Sequence, residues 1–283
     1  MFQYAAGRYL SEKHQTSLKL DLSFLLDRSP RKDFVYRDYD LSLLNVQENF
    51  AQPDEIVNFG KYRRVGWALH MVRHKLNSSL PAYVHEDSFH FDPNFFQIPA
   101  HAYIEGFWQS EKYFKDIEPI IRKEFTFRDD FDERGHEMAK KIKEVKSVCI
   151  NVRRGDFVSI PQANLYHGVC NVDYFIRAVQ LVAGKIPNPH FFIFSDDVEW
   201  CRDNFRFEYP STFVTQEYAG KKYGQKLQLM TLCRHFIIPN SSFGWWGAWL
   251  NNNPDKIVIA PKKWLNDVSI DTKDLIPEGW IRI

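Results

Sequence analysis

The sequence predicts an α/β fold built on a parallel β-sheet whose two faces are covered by helices. The main observation is a regular alternation, from residue 147 onward, of short apolar runs with amphipathic helical segments. Such runs are typical of strands that are buried on both faces of a parallel sheet. Length is the second observation, because 283 residues accommodate two domains at about 100–200 residues per domain.

The first half of the chain has a weaker pattern. Apolar residues recur at helical spacing, and so predict helices, at 2–10, 65–76, 117–125 and 129–146. Two strands are predicted in this half, at 18–22, where apolar residues alternate with polar ones, and at 100–105. We interpret the charged segment 129–146 as a solvated helix between domains, and therefore expect domains at 1–143 and 144–283.

The second half predicts strands and helices in turn. The apolar runs, taken as strands, are 147–152, 190–195, 211–215, 236–239 and 256–260. The helical segments are 174–182, 198–205, 225–235 and 243–250. Ligands of parallel sheets bind at the carboxyl ends of the strands. The residues that follow Val152, Phe194 and Ile238 are therefore the first candidates for chemistry.

Charge and cysteine content exclude several classes of protein. The net charge of +1 argues against a protein that binds nucleic acid through a broad basic surface. The four cysteines are widely spaced, which disfavours a zinc cluster or a disulfide framework and is typical of reduced, cytosolic thiols. The longest uncharged stretch, 235–254, contains Pro and Asn and predicts no membrane span. The chain does not open on a signal-peptide pattern, so we expect a cytoplasmic protein.

Two adjacent arginines follow the first strand of the regular half. Arg153 and Arg154 precede Gly155 and Asp156. An arginine stays charged and presents a rigid fork of N–H donors that matches phosphate oxygens. Because neighbours on an extended segment point to opposite faces, one arginine can face a ligand while the other braces the site. The alternative interpretation is an ion pair with Asp156.

Two further strand ends carry polar residues. Asp196 and Asp197 can bind a metal, a ribose or a base edge, or one of them can cap the helix that begins near Val198. Ser241 and Ser242 open a helix, where free N–H groups and hydroxyls form an anion site. They can equally be an ordinary cap, and the two interpretations are compatible.

Known motifs of other enzyme classes do not occur. His70 and His74 have the spacing of a helical zinc pair, but Met71 stands where a metalloprotease has its glutamate. The sequence also contains no Walker loop, no G-x-S-x-G elbow and no G-x-G-x-x-G turn. These absences disfavour a metal site, a serine hydrolase and a standard dinucleotide enzyme.

Taken together, the motifs resemble those of the α-1,2-fucosyltransferase family. Arg-Arg-Gly-Asp at 153–156 and Asn-Ser-Ser-Phe-Gly-Trp-Trp-Gly at 240–247 together make a specific signal, whereas either motif alone would be weaker. All matching segments follow the family's order: 1–8, 106–114, 152–157, 194–197, 240–250 and 259–264. They span nearly the whole sequence.

The resemblance implies a GT-B architecture, in which two Rossmann-like domains have a cleft between them. The N-terminal domain, 1–143, would be the acceptor side, and 144–283 would bind the nucleotide sugar. The implied reaction transfers fucose from GDP-fucose, with inversion, to the 2-hydroxyl of an acceptor that is usually galactose. GDP-fucose and a glycan would be the partners, with neither cofactor nor divalent metal. Contact with the inner face of the membrane would occur at most through a lipid-linked acceptor.

The resemblance also assigns roles to residues. Arg153 and Arg154 would flank the diphosphate, and one of Asp196 and Asp197 would contact the guanine or the ribose. Asp156 is the candidate general base. The remaining donor-binding residues would be Asn151, Ser241, Ser242 and Phe243. Those that would face the acceptor are Gln109 and Glu111.

The sequence departs from the family pattern at three points. Asn151 stands where histidine is common, and an amide cannot act as a base. Lys226 stands where an acid is common. Family members normally begin with a strand and a Gly-Gly-x-Gly-Asn-Gln turn, which are expected to be missing here because the sequence starts at the following Met1. The alternative function is therefore a catalytically impaired relative that binds nucleotides or glycans.

Overall fold

The protein divides into two compact units. The structure, a computed structural model, describes residues 1–32, 34–60 and 81–283. Unit 1 comprises Met1–Arg31, Tyr36–Thr126 and Ile270–Pro277. Unit 2 comprises Lys32–Val35, Phe127–Ser269 and Glu278–Ile283.

Unit 1 contains short helices and one small parallel sheet. The α-helices are α1 (Phe2–His14), α2 (Ser23–Leu26), α3 (Pro53–Gly60) and α4 (Glu118–Glu124). Single turns of 3-10 helix lie at Asp40–Leu43, Pro93–Gln97, Glu111–Tyr113 and Lys115–Ile117. Strands β1 (Ala82–His85) and β2 (Ala102–Glu105) pair in parallel, so their carboxyl ends lie at the same edge.

The sequence predicted part of unit 1. The helices expected at 2–10 and 117–125 and the strand at 100–105 are confirmed. The strand expected at 18–22 is wrong, because Leu20 forms only an isolated bridge to Phe50 and the chain then enters α2. Strand β1 was not predicted. The helix expected at 65–76, which holds His70 and His74, lies outside the described residues.

Unit 2 is built on a six-stranded parallel sheet in the order β5-β4-β3-β6-β7-β8. The strands are β3 (Lys146–Val152), β4 (Pro189–Ser195), β5 (Ser211–Val214), β6 (His235–Ile237), β7 (Val258–Ala260) and β8 (Ile281–Arg282). Its α-helices are α5 (Glu133–Glu144), α6 (Gly155–Ser159), α7 (Pro161–His167), α8 (Val172–Ala183), α9 (Val198–Asn204), α10 (Gly224–Thr231) and α11 (Ser242–Leu250). Turns of 3-10 helix lie at Gln216–Tyr218 and Lys221–Tyr223.

Both faces of the large sheet are covered. The consecutive residues Val148, Cys149 and Ile150 are all fully buried. Because neighbours in a strand point to opposite faces, burial of all three requires packing on each face. The parallel sheets of the two units confirm the predicted α/β class and are consistent with the GT-B type.

Helix α5 belongs to unit 2, whereas the charge pattern predicted a solvated helix between the domains. Its N-cap residue Asp132 accepts a hydrogen bond from the Gly135 N–H at 2.7 Å, and Met138 and Ile142 are buried. The helix packs on β3 and α10. The division between the units therefore falls near residue 126, earlier than the predicted boundary between 143 and 144. No helix within the three described ranges is long and apolar enough to span a membrane.

Candidate active site

The predicted polar residues of unit 2 meet where β3 and β4 end. These strands are neighbours in the sheet, and their register pairs Val152 with Ser195. The residues that follow each strand are therefore adjacent in space. The register brings Arg153 and Arg154 alongside Asp196 and Asp197, which are more than 40 positions away in the chain.

Arg153 is held by two carboxylates. One terminal nitrogen, Nη1, donates to Asp196 Oδ2 at 2.7 Å, and Nη2 donates to Asp156 Oδ1 at 2.5 Å. Its guanidinium carbon lies 5.5 Å from the ring centroid of Phe157. The ion pair with Asp156 is thus present, and Arg153 has the geometry of a bracing residue.

Arg154 is anchored differently. Its backbone N–H donates to Asp196 Oδ1 at 2.8 Å, and its side-chain Nε donates to Asp197 Oδ2 at 3.1 Å. The guanidinium carbon lies 3.9 Å from the ring centroid of Trp200, a cation–π contact. Neither terminal Nη group has a partner among the described residues. The fork of Arg154 is therefore fixed at its base while its tip remains available to an anion.

Asp196 and Asp197 have different roles, and only one of them is a helix cap. Asp197 caps α9, since its Oδ1 accepts from the Trp200 N–H at 3.1 Å, and the capping interpretation is confirmed for this residue. Asp196 uses both oxygens on the two arginines. A Cβ placed on Gly155 would lie 2.7 Å from Asp196 Oδ2, so only glycine allows this close approach.

The start of α11 lies after β6, the strand on the other side of β3. Ser241 occupies the N-cap position but makes no side-chain capping hydrogen bond, so the ordinary cap is not formed. The buried side chain of Asn240 donates to the backbone carbonyls of His167 and Trp264, at 2.9 and 3.1 Å. Asn240 thereby ties this segment to the end of α7 and leaves the hydroxyls of Ser241 and Ser242 as candidate anion ligands.

Asn151 and Lys226, the two residues expected to differ from the family pattern, are both buried. Asn151 donates to the Phe194 carbonyl at 3.3 Å, while its Oδ1 has no hydrogen-bond partner among the described residues. Lys226 donates to the Ser195 carbonyl at 3.2 Å and to Gln216 Oε1 at 3.3 Å. Burial lowers the pKa of Lys226, although the nearby Asp196 carboxylate opposes the decrease. Lys226 thus links the end of β4 to Gln216.

One residue at this edge was missed by the sequence reasoning. The ring of His167 stacks on Phe157, with centroids 4.4 Å apart and an interplanar angle of 2°. Burial lowers the pKa of His167, while Asp156 raises it and Arg153 lowers it. The segment containing α6 and α7 gave no periodic signal, so nothing in the sequence pointed to this histidine.

The predicted acceptor residues belong to unit 1. Gln109 follows β2, and Glu111 opens the 3-10 helix Glu111–Tyr113, with an ion pair to Lys115 at 3.5 Å. Phe243, by contrast, lies in the first turn of α11 in unit 2. Within the described ranges, no group of three or more His, Cys, Asp or Glu residues could hold a metal ion.

Arginines at the carboxyl edge of a parallel sheet suit a phosphorylated ligand, because ligands of such sheets bind at this edge and a guanidinium matches phosphate oxygens. The profile described as glycosyl transferase family 11 matches residues 68–283. The chain belongs to glycosyl transferase family 11 and is therefore a glycosyltransferase.

Relatives agree with this membership. The α-1,2-colitosyltransferase of Escherichia coli is 30% identical, with 100% of this chain and 94% of the relative covered. The O-antigen biosynthesis glycosyltransferase WbnK of Escherichia coli is 26% identical over 100% of this chain and 96% of its own. A galactoside α-(1,2)-fucosyltransferase 1 of Saimiri boliviensis boliviensis is 26% identical over 56% of this chain and 44% of its own. The resemblance to the α-1,2-fucosyltransferase family is thus confirmed.

The chain is also similar to a solved structure of NodZ α-1,6-fucosyltransferase soaked with GDP-fucose. The match covers 95% of this chain and 90% of the NodZ chain. Its TM-score is 0.45 and its sequence identity is 12%.

Proposed function

We propose that this glycosyltransferase moves fucose from GDP-fucose to the 2-hydroxyl of a galactose in a glycan, with inversion and without a metal ion. The observation that carries the proposal is the Arg154 fork, which is fixed by Asp197 and Trp200 while both terminal Nη groups lack partners among the described residues. The α-1,2 linkage shared by the names of two relatives supports the position of transfer.

The proposed chemistry places negative charge where the arginines lie. The bond between the anomeric carbon and the diphosphate oxygen breaks, and its electron pair leaves with GDP. The acceptor oxygen forms the new bond from the opposite face and gives up its proton. A guanidinium that is already oriented stabilises the developing charge without reorganising. Arg154 would supply this stabilisation directly, and Arg153 would hold Asp196 and Asp156 in place.

Further donors and the proton acceptor complete the proposal. Ser241 and Ser242 stand at the positive end of α11, where a helix of nine residues presents its N–H groups. Together with Phe243 and Asn151 they would line the donor site. Asp156 is the proposed general base, and it keeps its contact with Arg153.

A second donor has its own support. The relative that is 30% identical across this entire chain is a colitosyltransferase, so colitose is the second candidate for the transferred sugar. The non-catalytic alternative remains testable as well, because such a relative would bind GDP but give no product.

The test is a transfer assay with purified protein, GDP-fucose or GDP-colitose, and lactose as the acceptor. NMR of the product gives the linkage and the anomeric configuration, and an added chelator tests independence from metal. We expect Arg154→Ala to lower kcat by about 10²–10³-fold, the effect of removing one oriented donor. Arg202→Ala is the matched control, because Arg202 is half exposed, pairs with Glu199 on its own helix and lies over the ring of Phe213.

The outcomes separate the candidates. Full activity of Arg154→Ala would refute the phosphate role of this residue. Calorimetry that shows GDP binding, together with no turnover of either donor, would favour the impaired relative. Product formed only from GDP-colitose would replace fucose by colitose in the proposal.

A further inference from the structure

Unit 1 contains a cavity of about 290 Å³ at the carboxyl ends of its two strands. The buried rings of Phe95, Trp108 and Tyr113 form one part of the lining, and Glu86, Ser88 and His90 contribute polar groups. Ligand sites typically span about 300–1,000 Å³. This cavity lies just below that range, so it fits one ring rather than an extended oligosaccharide.

Glu86 is built into the cavity wall. Its carboxylate accepts hydrogen bonds from the Phe107 N–H at 2.6 Å and from the Trp108 N–H at 3.0 Å. A carboxylate can accept about four hydrogen bonds, which leaves capacity for donors from a ligand. Burial raises the pKa of Glu86, and these two N–H groups oppose the increase.

The turn beneath Glu86 is strained and tightly packed. Trp108 adopts a φ of 53°, in the left-handed region that bulky residues rarely occupy. A Cβ placed on Gly106 would lie 2.4 Å from the Glu86 Cβ, and the Gly106 carbonyl accepts from Gln3 Nε2 at 2.7 Å. Strained backbone of this kind persists where the surrounding structure fixes it, and it is concentrated at ligand sites.

The chemistry of the lining selects the ligand. Among the described residues that line the cavity, none is Lys or Arg, so a phosphate would find no strong cation there. Aromatic rings offer apolar faces, and carboxylates accept hydrogen bonds from hydroxyl groups. A neutral sugar ring presents both kinds of surface.

We propose that this cavity binds one neutral sugar ring of the acceptor, and that Glu86 accepts hydrogen bonds from the hydroxyls of that ring. The identification of this sugar as part of the acceptor rests on the proposed function, whereas the binding of a sugar ring rests on the cavity alone. Glu86 and Trp108 are then the residues that determine which sugar is accepted.

The test uses one variant that fills the cavity and one that alters its carboxylate. Ser88→Tyr places a large ring in the lining, and Ser17→Tyr is the matched control at an exposed loop position outside it. Glu86→Gln keeps one acceptor oxygen for the turn but removes the charge. We expect both cavity variants to raise the KM for lactose by about 10–100-fold, the range for a hydrogen bond to a charged group. The KM for the donor and the affinity for GDP should stay unchanged.

Two readouts keep the inference separate from the proposed function. If wild-type protein transfers sugar and both variants keep the wild-type KM for lactose, the cavity is not the acceptor site and the inference is overturned. If wild-type protein shows no transfer, saturation-transfer NMR with lactose tests the cavity directly. Lactose binding that Ser88→Tyr abolishes and Ser17→Tyr preserves supports the inference, and absence of binding to wild type overturns it. A circular dichroism spectrum of each variant checks that it is folded.

Discussion

The two units place polar residues at the same topological position but with opposite electrostatics. In unit 2, the edge formed by β3 and β4 carries two arginines that are held by three aspartates. In unit 1, the edge formed by β1 and β2 carries Glu86, which is held by backbone N–H groups. The strand ends decide where a ligand lies, whereas the side chains decide whether it is an anion or a neutral polyol.

The carboxylates have different tasks at the two edges. Asp196 and Asp197 orient guanidinium groups, so their negative charge is paired with arginines of the protein itself. Glu86 fixes a turn and keeps acceptor capacity that faces a cavity. A carboxylate that orients an arginine leaves that arginine for an anion, whereas a carboxylate without a neighbouring Lys or Arg has oxygens that can accept hydrogen bonds from hydroxyl groups.

Among the variants that test this comparison, Arg154→Lys is expected to have the largest effect. Lysine keeps the charge but cannot bond Asp197 through Nε and present a fork at the same time. We expect kcat to fall by about 100-fold, as for the loss of one oriented donor, while lactose binding to unit 1 stays unchanged. Steady-state kinetics and saturation-transfer NMR measure the two quantities. Unchanged kcat would show that a point charge is sufficient at this edge.

Glycine substitutions are expected to have the next largest effect. At each edge a glycine lies against the carboxylate, Gly155 against Asp196 and Gly106 against Glu86. An added Cβ would lie 2.7 Å from Asp196 Oδ2 at Gly155, and 2.8 Å from Glu86 Oε2 at Gly106. We expect Gly155→Ala and Gly106→Ala each to lower the free energy of unfolding by about 1–3 kcal/mol, the usual cost of overpacking.

The two variants should differ in kinetics. Gly155→Ala is expected to raise the KM for the donor, and Gly106→Ala the KM for the acceptor. Urea denaturation measures the stability of each. Gly184→Ala is the matched control, since its Cβ would make only ordinary contacts of 3.4 Å or more. Equal effects of both variants on both KM values would break the comparison between the edges.

A smaller effect is expected from the helix caps. Asp197→Ala removes the cap of α9 and the partner of Arg154, whereas Asp92→Ala removes the cap of the 3-10 helix Pro93–Gln97 and one carboxylate of the unit 1 cavity. Loss of a cap costs about 0.5–2 kcal/mol. Thermal melts should show destabilisation in both variants, but only Asp197→Ala should raise the KM for the donor. An effect of Asp92→Ala on the donor KM would contradict the separate roles.

The smallest effect concerns pH. Burial lowers the pKa of His167, His190 and His235 below the ordinary value of 6.5. Below pH 6.5 the unfolded chain therefore binds more protons than the folded protein. The stability that these histidines contribute is present above pH 6.5 and is lost as the pH falls through their folded pKa values. Urea midpoints measured from neutral to mildly acidic pH should decrease. A rising midpoint over this window would contradict the sign.

Glu86 contributes with the opposite sign. Its pKa is raised above the ordinary value of 4.5, so its contribution is present below that pH and is lost as the pH rises through the folded pKa. Comparing wild type with Glu86→Gln isolates this contribution in unit 1, just as His167→Gln isolates one in unit 2.

The sequence predicted the large sheet better than the small one. Strands buried on both faces, such as β3 and β4, leave continuous apolar runs that single-sequence reasoning detects. Strand β1 has four residues and ends in the exposed His85, so it leaves almost no pattern. At 18–22 the alternation is present, but a strand needs a partner, and only Leu20 finds one.

The candidate site was predicted as a set of positions but not as a network. Strand ends indicated the arginines and the aspartates, because parallel strands finish at one edge. Which carboxylate holds which arginine depends on the register of β3 and β4 and on the side-chain directions at their ends. Trp200 contacts the Arg154 guanidinium, and His167 stacks on Phe157, which lies beside Arg153. No sequence spacing encodes these ring contacts.

The contact between Arg154 and Trp200 has an optical consequence. The indole lies 3.9 Å from a guanidinium carbon, so its fluorescence depends on where that charge sits. A diphosphate that draws the tip of Arg154 away would change the emission of Trp200, whereas Trp245, Trp246 and Trp249 are buried in the core and should change little. The difference spectrum between wild type and Trp200→Phe is thus an internal signal for occupancy of the arginine edge, available without a labelled ligand.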